Sequence, residues 1–76
     1  MSTVVVTFES ADGSKQEEVG WPVNDLADYE VSVANGLHDL MIEEALPMVR
    51  RKLQDDHVRV ISTTVDGVPQ PLTDRW

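Results

Sequence analysis

Two alternating stretches meet at an Asp-Gly pair, and this junction constrains the fold of the chain more than any other feature. TVVVTFES and SKQEEVGW flank Ala11-Asp12-Gly13-Ser14. Asp-Gly between alternating runs favours a two-residue hairpin turn, because both central positions need positive φ. Such a turn pairs Ala11 with Ser14, and then Phe8 with Glu17, Val6 with Val19 and Val4 with Trp21. These six side chains share one face, where only Glu17 is out of character. Val5, Thr7, Glu9, Gln16, Glu18 and Gly20 share the other, mostly polar face. A slip of one residue would turn Val19 and Trp21 to water, so the register is well specified.

A second Asp-Gly pair, Asp66-Gly67, follows the β-branched run HVRVISTTV. The same turn pairs Val65 with Val68, Thr63 with Gln70 and Ile61 with Leu72. Hydrogen-bonded pairs recur at every second residue, so Pro69 and Pro71 fall where a missing N–H points away from the neighbouring strand. Prolines there fit an edge strand.

Between the hairpins, Leu37 to Leu53 repeats with a helical period. Asn35 or Ser32 is the expected cap, and Arg50, Arg51 and Lys52 suit the negative end of the helix dipole. Two apolar stripes run along it. Leu37, Met41, Ala45 and Met48, with Leu40 beside them, form the first. Ile42, Leu46, Val49 and Leu53 form the second. Together they are wide for a helix lying on one sheet. Pro47 removes a backbone donor and predicts a kink, or a split into two shorter helices. The segment 22–35 reads as an irregular connection, with a helical turn capped by Asn24 in NDLADYE and a short strand in YEVSV.

These elements predict a single α+β domain over residues 1–76, in the order β-β-α-β-β. One long helix, kinked or split at Pro47, packs on a four-stranded, mainly antiparallel sheet. A right-handed crossover through the helix gives the strand order 2-1-3-4. A chain of 76 residues buries only roughly 60% of its unfolded surface, so a partner or a second copy would reinforce its core.

Composition narrows the function. The net charge is −8 at pH 7. Residues 1–49 carry ten acids against Lys15 alone, and such a field repels phosphates. The chain has no cysteine, which removes disulfides and thiolate chemistry and fits a reducing compartment. Val4 to Val6 is too short an apolar run for a signal peptide or a span, so neither is expected, and the expected location is cytoplasmic. The glycines at 13, 20, 36 and 67 are too scattered for a phosphate loop. Asp55-Asp56-His57 are consecutive residues, which rarely converge on one ion, and read as a solvated turn. His38 lies between the two apolar stripes, about 100° around the helix from Asp39.

The expectation is therefore a non-enzymatic protein–protein interaction or regulatory protein without metal, cofactor, membrane or direct nucleic-acid contact. It would act as a homodimer through Ile42, Leu46, Val49 and Leu53. The alternative is an acidic inhibitor that imitates a phosphate backbone and docks on a basic, nucleic-acid-binding partner through Glu9, Glu17 and Glu18.

Overall fold

A computed structural model describes residues 1–73 and 76. The element order is β1 (Ser2–Glu9), β2 (Gln16–Val23), α1 (Leu26–Ala34), α2 (Leu37–Leu53), β3 (Arg59–Val65) and β4 (Val68–Gln70). The strands form one sheet in the order β2-β1-β3-β4, and every neighbouring pair is antiparallel. Two helices, rather than one, join β2 to β3.

The first hairpin has the register read from its alternation: Val4 pairs with Trp21, Val6 with Val19 and Phe8 with Glu17. Its turn is longer than two residues. Ser10 N–H donates to Lys15 C=O at 3.0 Å, and Gly13 N–H donates to Ser10 C=O at 3.0 Å. Of the two turn residues only Gly13 has positive φ, 77°. The Asp12 carboxylate explains the difference. It accepts the Ser10 and Ser14 hydroxyls and the Ser14 amide at 2.7–2.9 Å, which ties a wider loop together from within.

The second turn is the expected two-residue type. Asp66 has φ 51° and Gly67 φ 81°, and Val65 pairs with Val68 and Thr63 with Gln70. Pro69 lies opposite Thr64, between the bonded pairs. The expected Ile61–Leu72 pair does not form, because β4 ends at Gln70. Ile61 serves elsewhere. Thr7 pairs with Ser62 and Phe8 with Val60, so Ile61 is the extra residue of a β-bulge in the β1–β3 ladder. A bulge changes which side chains face inward, and here Val60 joins Thr63 and Val65 inside.

Segment 22–35 is ordered, which corrects its reading as an irregular connection ending in a strand. Asp25, not Asn24, caps α1 by accepting Asp28 N–H at 2.8 Å, while the Asp28 carboxylate accepts Asn24 N–H at 2.9 Å. This reciprocal arrangement resembles a capping box. It favours helix over the local alternation of YEVSV, so Tyr29 and Ser32 turn inward and Val31 outward. Gly36, at φ 82°, separates the helices. A side chain there would face the left-handed penalty, although a Cβ would meet nothing within 4 Å. Asn35 serves both helices. Its N–H closes α1 onto Val31 C=O, and its side-chain oxygen accepts Leu37 N–H at 3.1 Å. Ser32 caps nothing in α2; its hydroxyl donates to Asp28 C=O.

Helix α2 runs unbroken through Pro47. Pro47 is exposed, so its ring and missing donor fall on the solvent side. The helix covers the sheet with Ile42, Leu46, Val49 and Leu53, which meet Val4, Val6, Phe8, Val60 and Val65 in one core. The four residues expected to carry self-association are therefore internal. Packing reverses that assignment because stripe one contains Ala45 and is interrupted by Glu44 and Lys52, whereas stripe two supplies four large branched side chains. Replacing Ile42, 1% exposed, by Ala is expected to cost about 2–5 kcal/mol in urea unfolding. Leu40→Ala, at an exposed position, should stay within about 0.5 kcal/mol.

Candidate functional site

With stripe two inside, the other flank of α2 is left beside the sheet edge. Leu37, Leu40 and Met48 are between 41% and 48% exposed, which is high for large apolar side chains on a domain with a thin core. Met41 and Ala45 are half-buried. Two contacts orient this flank. Leu37 and Met41 line a cavity with Trp21 and Pro22 of β2, and Lys52 reaches Glu17 of β2 at 3.9 Å. The flank thus overhangs β2, the outermost strand on that side.

The acidic hairpin is only partly available. Glu9 accepts Arg59 at 2.9 Å and Gln16 at 3.1 Å, and the Arg59 bond holds its carboxyl below the ordinary range. The bulge in β3 sets this pair, since it places Arg59 opposite Glu9. Glu17 lies on the inner face towards Lys52, which explains a carboxylate among apolar neighbours; an exposed pair at that distance stabilises little. Glu18 is exposed on the outer face. The three acids therefore do not form one surface.

Several other carboxylates hold the chain together. The Asp12 carboxyl is lowered to about 2, first by the Ser14 hydroxyl and then by the Ser14 amide and Ser10 hydroxyl. Asp55 accepts Ala11 N–H and His57 N–H at 2.8–2.9 Å, joining the first turn to the exit of α2. Asp66 accepts Thr3 N–H at 2.9 Å, while its own N–H donates to Thr3 C=O. Lys15 Nζ donates to Leu53 C=O at 3.3 Å, a cation at the negative end of α2.

His38 is buried, at 3% exposed, which its place between two stripes does not reveal. Its ring packs 5.6 Å from Trp21 and 5.2 Å from Tyr29, edge-on to the latter. Its Nδ1 is buried and, among the described residues, has no hydrogen-bond partner. It borders the cavity of about 240 Å³ formed with Trp21, Pro22, Val23, Asp28, Ser32, Leu37 and Met41. Burial pushes the imidazole below its ordinary value of 6.5, and the Asp39 charge opposes this more weakly. Burial likewise raises the Tyr29 phenol.

Beyond β4, Thr73 and Trp76 are both tied to α2. Asp39 Oδ1 accepts the Thr73 hydroxyl at 3.0 Å and the Trp76 indole N–H at 2.9 Å, and Trp76 packs on the core. A shallow groove of about 330 Å³ lies between α1 and this segment, lined by Tyr29, Glu30, Val33 and Gln70–Thr73. No periodic signal in the sequence marks this clasp, because it joins residues far apart in the chain.

Among the described residues, no group of three or more His, Cys, Asp or Glu is placed to hold a metal ion. Among the same residues, no helix is long and apolar enough to cross a membrane. Comparison of the chain with protein-family models, with characterised proteins and with solved structures gives no match.

Two outcomes follow from this geometry. A folded-state imidazole pKa below the unfolded 6.5 means that stability is full above 6.5 and is lost as pH falls through the folded value. Urea midpoints measured from pH 8 downward should fall below 6.5 in the wild type, and His38→Phe should remove that step. The lowered carboxylates act in a separate, more acidic window. Asp39→Ala should release Trp76, seen as red-shifted emission and easier acrylamide quenching on a Trp21→Phe background. Asp39→Asn, which keeps an acceptor oxygen, should retain most of the clasp.

Proposed function

We propose that this chain is a non-enzymatic regulatory or adaptor domain that acts by contact with another protein, through the flank of α2 that overhangs β2. The observation that carries this reading is the exposure of Leu37, Leu40 and Met48 along one side of a single helix. Apolar side chains gathered in this way mark an interaction surface rather than a scattered apolar background. The net charge of −8 favours a basic partner over a second copy, because a dimer brings two acidic fields together. The partner-occupying reading therefore gains over homodimerisation, while Ile42, Leu46, Val49 and Leu53 support the surface from below. Direct imitation of a nucleic-acid backbone is less well supported, since Glu9 faces Arg59 and Glu17 faces Lys52.

The test uses the protein immobilised through Met1, which is almost fully exposed. Basic proteins retained from host lysate by the wild type should be lost with Met48→Glu, with thermal stability unchanged. Identical retention by both proteins would remove this flank as the contact surface. Sedimentation equilibrium should find the isolated wild type monomeric, and a dimer dispersed by Leu40→Glu would restore the homodimer.

A further inference from the structure

The two edges of the sheet are unequal. Strand β4 is three residues long with Pro69 at its centre. Strand β2 is eight residues long, and among the described residues no strand pairs with its other side. Its bonding pattern follows from the turn. Ser10 and Lys15 are joined by a ladder bond, and bonded pairs recur every second residue. Glu17, Val19 and Trp21 therefore point their backbone groups at β1. Gln16, Glu18 and Gly20 point theirs outward, and all three are exposed. Pro22 has no N–H and ends the open row.

We infer that β2 takes a fifth strand: an extended segment of a partner protein, with Lys or Arg alternating with aliphatic residues, bonded to Gln16, Glu18 and Gly20 beneath the overhanging flank of α2. This rests on the protein-binding reading above and names the chemistry of the partner. Three features define the occupant. The free row offers three N–H donors, the main-chain recognition used in strand addition. Alternate side chains of an added strand would face the inner side of the sheet, and the cavity lined by Trp21, Pro22, Leu37 and Met41 would receive an aliphatic group. The other side chains would lie on the outer face next to Glu18, where opposite charges across a ladder are favourable. A second copy is a poor occupant. Antiparallel self-pairing centred on Glu18 would set the two Glu18 carboxylates opposite each other.

The probe is the peptide acetyl-(Lys-Val)3-amide at millimolar concentration, with exchange of individual amides followed by NMR. Slowed exchange at Gln16, Glu18 and Gly20, absent with acetyl-(Glu-Val)3-amide, is the expected result. Methylating alternate peptide nitrogens should abolish it. Glu18→Lys should weaken binding about two- to five-fold and Glu18→Pro, which removes one outward donor, should weaken it further. Because proline can perturb the strand, the Lys variant serves as the folded control. Unchanged exchange at the three amides, or equal binding by the methylated peptide, would overturn strand addition. Either result would leave the protein-binding reading to be decided by the Met48→Glu capture.

Discussion

One helix with two apolar flanks faces one sheet, and the rest of the molecule follows from that mismatch. The inner side of β1 supplies Val4, Val6 and Phe8, all 0% exposed, and a central strand so fully buried needs a continuous cover. Ile42, Leu46, Val49 and Leu53 provide it. Satisfying that face fixes the rotation of α2 and leaves Leu37, Met41 and Met48 beside β2. Helix α1 borders the cavity beside Trp21 and Pro22 through Asp28 and Ser32, and its Tyr29 and Val33, with Trp76, complete the core.

Much of the sheet was legible in the sequence because strand signals are local. Alternation and Asp-Gly turns place Val4 opposite Trp21 and Val65 opposite Val68 without any knowledge of the helices. The shape of the first turn was not legible, because the carboxylate of Asp12 rather than backbone preference decides it. Helix α1 was hidden by competition. YEVSV alternates like a strand, but Asp25-x-x-Asp28 is a helix-start signature and it prevails. The assignment of the two α2 stripes was ambiguous in principle, since both obey the same period. Side-chain volume and the placement of charges separate them once the sheet is in view. The bulge at Ile61 and the Asp39 clasp depend on distant partners and leave no periodic trace.

The acidity of the chain also has a different meaning in three dimensions. Asp12, Asp25, Asp28, Asp55 and Asp66 accept backbone N–H groups at turns and helix starts. Short acidic side chains are suited to such orphaned donors. Much of the negative charge is thereby committed to the architecture, and proximity in sequence is a poor guide to which carboxylates face a partner.

The two prolines that lie within strands have a joint consequence for stoichiometry. Pro69 interrupts the row on the outer side of β4, and Pro22 closes one end of the row on β2. Head-to-tail growth requires two receptive borders per molecule, so that each newcomer presents a fresh template for the next. Among the described residues only β2 is a long edge. If a strand adds at β2 as proposed, copies of this chain still cannot stack edge to edge through β4, where Pro69 withholds the outward donor.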